Sequence, residues 1–324
     1  MSGELVARAR AAFGWDGDIT VTAGARGARG QIWRIDVGSA SYALKEIFED
    51  PPSPELMAAE LEFSRRAVGA GVRLPMSHAD RDGQYVVASG RGGWLRLYDW
   101  VDLRPIDPAA PTTPRALGSL LARLHRCAAP MSGEADGGAP DPWYEDAPSV
   151  DEWARVAAAD APWSDRLADR VTTLPELCAE VSPAASGELL MCHRDLHPEN
   201  VLGDPAGALV VVDWDGLGPA TASRELAAML FDWFCDGPVV DLDAVRELYD
   251  AYISDGGPGR ITALADFSML LAGRLNFLLR QLQLALDPEA ERRHRDWAER
   301  EIDEALRILP TSRQLAAVLS ATRG

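Results

Sequence analysis

The sequence is poor in cysteine and in basic residues, and these shortages exclude several classes of protein. Only four cysteines occur among 324 residues, with no C-x-x-C spacing: Cys127, Cys178, Cys192 and Cys235. This pattern argues against a disulfide framework or a zinc site and favours a reduced, cytoplasmic setting. Lysine and arginine total 32 against 50 acidic residues, a net charge of −18. We therefore expect no nucleic-acid partner, which would require a basic face.

Long uncharged apolar runs are also lacking, so no membrane-spanning segment is predicted. Residues 1–10 contain no apolar core of a secretory signal. The most apolar helical stretch, residues 267–286, includes Arg274 and Arg280, which is typical of a core helix. The negative charge would suit a cationic substrate, although an acidic surface that only keeps the protein soluble explains it more simply.

Periodicity and turn residues predict a mainly β first third and a mainly helical remainder. Ser53 and Pro54 mark the start of a helix as N-cap and first helical residue. Strands are predicted at 19–22, 31–37, 41–47, 84–88 and 94–100, and helices at 54–68, 113–126, 222–235, 241–253, 260–287, 290–308 and from about 311. The predicted architecture is a two-lobed α+β fold, with a sheet lobe at 1–98, a hinge at 99–104 and a helical lobe at 105–324.

The strongest functional signal lies in residues 189–215, LLMCHRDLHPENVLGDPAGALVVVDWD. Asp195 and Asn200 follow a short apolar segment, and Asp213 ends the next one. A turn at 203–207 would fold the chain back as a hairpin and bring the three polar groups together. A carboxylate base with an Asn and an Asp suited to Mg²⁺ is what phosphoryl transfer from a nucleotide requires.

Other residues of this stretch admit two interpretations. Asp195 alone would more simply be a turn residue, but its spacing to Asn200 and Asp213 favours a catalytic base. Asp215 fits either an auxiliary acid or an exposed loop acid. His193 is interpreted as a structural histidine, because Pro198 argues against a helix that would align His193 with a second histidine.

Lys45 and Glu60 are predicted to form an ion pair that positions phosphates. Lys45 lies in a half-buried strand, where a lysine is costly unless its charge meets a partner. On the helix at 54–68, Glu60 shares a face with apolar residues, whereas Glu62 is spaced for surface pairs with two arginines. The alternative is that Lys45 is an edge-strand charge.

Two further segments are candidates for nucleotide binding. The glycine-rich turn that contains Gly27 and Arg29 could hold phosphates through backbone N–H groups, or be a simple hairpin tip. An extended linker at Asp99, Trp100 and Val101 could provide the apolar slot and backbone groups that an adenine needs.

These motifs resemble the aminoglycoside phosphotransferase/choline kinase-like family, which has a protein-kinase-like fold. The matching residues are His193-x-Asp195-x4-Asn200, the segment 211–215 and the segment 42–45. The resemblance implies Asp195 as catalytic base, Asn200 and Asp213 as Mg²⁺ ligands, Lys45 with Glu60 as the phosphate-positioning pair, and the hinge as adenine site. The chain departs from the family at Glu225, where an aspartate is usual, and its helices after 236 match no substrate subgroup.

The leading hypothesis is an ATP- and Mg²⁺-dependent O-phosphotransferase acting on a small molecule, with an antibiotic as the first acceptor class. A metabolite such as choline, a sugar or an amino alcohol is the alternative acceptor, and GTP as donor stays open. Two other readings are a protein kinase, disfavoured because no Ala-Pro-Glu follows Asp213, and a nucleotide-binding pseudokinase. Acidic residues at 232–247 either face a cationic acceptor or are caps and surface charges.

Overall fold

The first third of the chain forms one antiparallel sheet and two helices. We describe the protein from a computed structural model, and the description covers residues 3–27, 30–48, 50–90, 92–131, 141–171, 173–184 and 189–323. The elements up to residue 99 are α1 (Gly3–Phe13), β1 (Ile19–Arg26), β2 (Gly30–Val37), β3 (Ala40–Ile47), α2 (Pro54–Gly69), β4 (Ser77–His78), β5 (Val87–Ala88) and β6 (Trp94–Asp99). The sheet order is β1-β2-β3-β6-β4, and β5 pairs with β6.

Alternating side chains give this sheet one buried face. Leu44 of β3 and Leu95 of β6 are fully buried there, together with Leu5 of α1. Ser53 caps α2 as predicted, because its hydroxyl accepts a hydrogen bond from the Leu56 N–H at 3.2 Å. Strand pairing sets Lys45 of β3 directly opposite Arg96 of β6.

The remainder of the chain is mainly helical, as predicted. Its elements are α3 (Thr113–Cys127), α4 (Pro142–Glu145), α5 (Val150–Ala157), α6 (Ser164–Val171), α7 (Leu174–Ala179), β7 (Leu189–Cys192), β8 (Val201–Gly203), β9 (Leu209–Val211), β10 (Gly218–Thr221), α8 (Ala222–Phe234), β11 (Cys235–Asp236), β12 (Val239–Val240), α9 (Leu242–Ser254), α10 (Ser268–Leu286), α11 (Arg292–Ile308) and α12 (Ser312–Ala321). In the described part of the chain, no helix is long and apolar enough to cross a bilayer.

The chain divides into two compact units, and the division differs from the sequence-based one in one segment. The first unit comprises residues 1–104 and 202–215, and the second comprises 105–201 and 216–324. The hairpin of β8 and β9 was assigned from sequence to the helical lobe, but residues 202–215 group with the sheet. Backbone bonds explain this, since Arg104 and Gly203 exchange N–H···O bonds of 2.9 Å and the Val211 N–H donates to the Arg73 carbonyl.

Several helices were not predicted or begin elsewhere. The helix α1 and the short helices α4 to α7 were left unassigned, because elements of one to three turns show too little periodicity. The predicted helix at 260–287 begins only at Ser268, after a 3₁₀ turn at Leu264–Phe267. Both differences leave the predicted fold class unchanged.

Candidate active site

The loop that follows β7 presents Asp195 beside Asn200. The Asn200 side-chain Nδ2 donates to the carboxylate Oδ2 of Asp195 at 2.9 Å and to its main-chain oxygen at 2.9 Å. These two bonds fix the orientation of the amide, so its oxygen is turned away from Asp195. The structure therefore brings together the predicted base and one predicted metal ligand within the second unit.

The residue before Asp195 holds this loop in a strained backbone conformation. Arg194 has φ of 67°, a left-handed value that is costly for a side chain other than glycine. Its guanidinium donates to the carbonyl of Gly216 at 2.6 Å and of Leu217 at 3.2 Å, and it stacks on the Tyr144 ring at 4.2 Å. Sequence reasoning assigned no role to Arg194, which anchors the Asp195 loop.

Glu225 fixes the same loop from α8. One of its oxygens accepts the backbone N–H of Arg194, and the other lies 2.7 Å from Nε2 of His125. Nδ1 of His125 in turn lies 2.7 Å from the Tyr252 hydroxyl. The glutamate that departs from the family pattern therefore joins the Asp195 loop to α3 and α9.

His197 contributes positive charge next to Asp195. Its Nε2 lies 3.5 Å from Oδ1 of Asp195. Burial disfavours the imidazolium, but the hydrogen bond and charge of Asp195 outweigh it and raise the pKa of His197 to about 9. This histidine therefore places a positive charge beside the Asp195 carboxylate.

In the first unit, Asp213 follows the β8–β9 hairpin that the sequence predicted. Asp213 has φ of 58°, and among the described residues only it and Arg194 are non-glycine residues with positive φ. The next residue, Trp214, packs edge-on against Phe63 of α2 with ring centroids 5.4 Å apart. Tertiary packing therefore maintains the strained backbone at Asp213, as is frequent at functional sites.

Lys45 meets two carboxylates of this segment. Its Nζ lies 2.6 Å from Oδ1 of Asp213 and 2.6 Å from Oδ2 of Asp215. Burial disfavours the ammonium, but the charges of Asp215 and Asp213 outweigh it and raise the pKa of Lys45. Lys45 is the only lysine in the sequence, a signal that sequence reasoning could have used to single it out.

The predicted ion pair between Lys45 and Glu60 is wrong. The Glu60 carboxylate, 3% exposed, binds the guanidinium of Arg96 at 2.5 Å. Arg96 is completely buried and also reaches Oδ1 of Asp215 at 3.3 Å. The physical reason is that Lys45 and Arg96 lie opposite each other on β3 and β6, and it is the Arg96 side chain that contacts Glu60 of α2.

The donor chemistry of the predicted metal ligands fits a hard divalent cation. Asp213 and Asn200 offer oxygen atoms, which Mg²⁺ prefers. The Asp213 side chain is 44% exposed. Around it, the carboxylates of Asp213, Asp215 and Glu60 outnumber the cations Lys45 and Arg96 by one, an excess that a cation would neutralise.

The predicted nucleotide-binding segments lie at the ends of strands of the first unit. Gly27 is exposed in the turn between β1 and β2, and its N–H donates to the Gly30 carbonyl at 3.0 Å. Arg29 lies outside the described residues. In the predicted hinge, the Asp99 carboxylate accepts the Met76 N–H at 3.0 Å, and the indole of Trp100 donates to Asp102 at 2.9 Å. Val101, which follows Trp100, is half-buried. The role of its backbone groups in holding an adenine stays a prediction.

The acidic residues at 232–247 are engaged within the second unit. Asp232 pairs with Arg274, and Asp236 pairs with Arg307. Asp241 caps α9 by accepting the Ala244 N–H at 3.0 Å. The remaining pairs are Asp243 with Arg246 and Glu247 with Arg115. This pattern favours caps and surface charges over a binding face for a polycation.

The fold, with its antiparallel sheet and mainly helical second unit, places the protein in the class with a protein-kinase-like fold. A model of the phosphotransferase enzyme family matches residues 20–264. The chain belongs to this family, which confirms the resemblance predicted from its motifs. No curated protein sequence matches the chain.

Solved structures of the same fold come from antibiotic and amino-alcohol kinases. Spectinomycin phosphotransferase, in complex with ADP and spectinomycin, has a TM-score of 0.64 at 14% identity, covering 100% of this chain and 98% of that chain. Amicoumacin kinase, in complex with AMP-PNP and Ca²⁺, has 0.61 at 16%, covering 95% of each chain. A choline/ethanolamine kinase family protein from Mesorhizobium loti has 0.52 at 20%, covering 98% of each. These likenesses confirm the predicted fold.

Proposed function

We propose that the protein is an ATP- and Mg²⁺-dependent O-phosphotransferase that acts on a hydroxyl of a small molecule. The observation that supports it best is the coincidence of backbone strain with the motif. Among the described residues, positive φ outside glycine occurs only at Arg194, which precedes the proposed base, and at Asp213, the proposed metal ligand. Strain maintained at two such positions is typical of residues held for function.

Each residue of the motif has a defined task in this proposal. Asp195 orients the acceptor hydroxyl and accepts its proton. Lys45 holds oxygens of the triphosphate, Gly27 and Arg29 approach its phosphates, and residues 99–101 hold the adenine. A magnesium ion bound by Asn200 and Asp213 would neutralise charge on the phosphates. Catalysis then rests mainly on positioning and on charge stabilisation.

For the acceptor, we propose an antibiotic with a free hydroxyl, and as the second candidate an amino alcohol, choline or a sugar. Two of the structures with this fold carry names of antibiotic-modifying enzymes, and one is a choline/ethanolamine kinase family protein. Because the acidic residues at 232–247 already have intramolecular partners, the proposal does not require a polycationic acceptor.

A coupled ADP-release screen tests the proposal. The acceptors are spectinomycin, aminoglycosides, macrolides, choline, ethanolamine and simple sugars, each with ATP and with GTP, and with Asp195→Ala in parallel. We expect at least one acceptor to give ADP release that the variant lacks. If no acceptor does so, and ATP with Mg²⁺ does not raise the melting temperature, the proposed function is wrong.

The single lysine allows a second test that needs no acceptor. An amine-reactive ester can label only Lys45 and the α-amino group, and the two are separated by peptide mass mapping. With ATP and Mg²⁺ at about ten times the Kd, we expect Lys45 labelling to slow about tenfold by mass action. The labelling rate of the α-amino group serves as internal reference. In Lys45→Arg, which contains no lysine, the adduct that nucleotide protects should be absent. Unchanged Lys45 labelling at saturating nucleotide would contradict the proposed role.

A further inference from the structure

Two buried cations face each other across neighbouring strands, and each needs a carboxylate. Lys45 on β3 is 8% exposed, and Arg96, directly opposite on β6, is completely buried. An uncompensated buried charge is strongly destabilising, so both side chains must find partners. They share one, the Asp215 carboxylate, which lies 2.6 Å from Lys45 and 3.3 Å from Arg96.

Arg96 extends this contact to the helix α2. One terminal nitrogen of its guanidinium binds Glu60 at 2.5 Å, while the other binds Asp215. A planar guanidinium can bridge two carboxylates in this way, whereas the compact ammonium of a lysine cannot keep the same geometry. The contacts form a continuous chain from Glu60 through Arg96 and Asp215 to Lys45.

We propose that Arg96 is a positioning residue that holds Asp215 against Lys45, a role that rests on the proposed function. Lys45 has two carboxylate partners, and the proposed function assigns one of them, Asp213, to the metal. Asp215, fixed by Arg96, keeps Lys45 in place for the triphosphate when Asp213 is engaged elsewhere. The connection between α2 and the lysine is therefore indirect, and it depends on an arginine that is anchored at both ends.

A stability-matched double variant tests the proposal. Arg96→Met alone would leave the Glu60 carboxylate buried without a partner, and the protein could then fail to fold. Glu60→Met/Arg96→Met replaces both charged side chains by apolar ones of similar length, so we expect near wild-type melting. Because Asp215 loses its anchor, kcat/KM for ATP should nevertheless fall about 100-fold, the size of effect that a displacement of about 1 Å can produce.

Single variants separate the link to Asp215 from the loss of a buried pair. Glu60→Gln leaves the contact between Arg96 and Asp215, so its loss should be smaller than that of the double variant. Arg96→Lys keeps the charge without the bridge and should not restore kcat/KM for ATP. Arg65→Met, which removes an exposed arginine of α2 paired with Glu62, is the matched control and should behave as wild type.

Three results would overturn the proposal. The first is a double variant that recovers both stability and kcat/KM, since Arg96 would then only pair with Glu60. The second, should the double variant not fold, is wild-type kinetics for Asp215→Asn. The third concerns a wild-type protein that turns over no acceptor, which is a failure of the proposed function. In that case, the rate of Lys45 labelling, divided by the α-amino rate, is compared between wild type and Asp215→Asn. The same ratio in both proteins would refute the link between Asp215 and Lys45.

Discussion

Replacing Asp195 by asparagine is expected to lower kcat by about 10²- to 10⁴-fold, the range for loss of a general base. Asparagine has nearly the same shape but cannot accept the proton of an acceptor hydroxyl. KM for ATP should change little, because Asp195 acts on the acceptor and the loss is confined to the transition state. Steady-state kinetics with an acceptor found in the ADP-release screen measure both constants.

The loop around Asp195 makes this substitution a clean one. Arg194 is held by Gly216, Leu217 and Glu225 through its side chain and backbone N–H, so the loop backbone is anchored apart from the Asp195 carboxylate. The side-chain oxygen of an asparagine can still accept the bond from Nδ2 of Asn200. The matched control is Asp243→Asn, at an acid whose side chain is 97% exposed, and it should retain wild-type kcat. An Asp195→Asn variant with more than about a tenth of wild-type kcat would contradict a general-base role.

The fold class and the motif of Asp195, Asn200 and Asp213 could be recognised from the sequence, because both depend on local patterns. The hairpin before Asp213 has a turn at 203–207 that contains glycine and proline, which are typical of turns, and the structure contains it as β8 and β9. The N-cap at Ser53 followed from residue type alone. The spacing of Asp195 and Asn200 could also be read from the sequence, and the structure places the two side chains in hydrogen-bond contact.

The partners of charged residues could not be predicted, because they are set by strand register and tertiary packing. Glu60 was correctly placed on the inward face of its helix, but a face does not specify which cation it meets. The register that places Arg96 opposite Lys45 decided the pairing. Asp215, which could have been an exposed loop acid, has a side chain only 19% exposed and binds both cations.

Replacing Glu225 by alanine is expected to lower the free energy of unfolding by about 3–5 kcal/mol, the cost of breaking a buried pair. Glu225 is 2% exposed, and its removal leaves His125 and the Arg194 N–H without their acceptor. Glu225→Gln keeps one acceptor oxygen and should cost about 1–3 kcal/mol. Urea unfolding measures both values, with Glu247→Ala, at a partly exposed surface pair, as a control that should lose less than about 1 kcal/mol.

The effect of Glu225 on stability should also depend on pH. Burial would raise the pKa of Glu225, but the hydrogen bond and charge of His125 and the Arg194 N–H outweigh it, so the pKa is lowered on folding. As the pH falls, Glu225 takes up a proton in the unfolded chain before it does so in the folded protein. The stabilisation by the Glu225 carboxylate is therefore complete above a pH of about 4.3, the pKa of an unfolded glutamate, and is lost as the pH falls through the pKa of the folded protein. The difference between wild type and Glu225→Ala should accordingly narrow at acid pH. A difference that stays constant from neutral to acid pH would show that the carboxylate charge contributes nothing, and that the loss in the variant comes from packing alone.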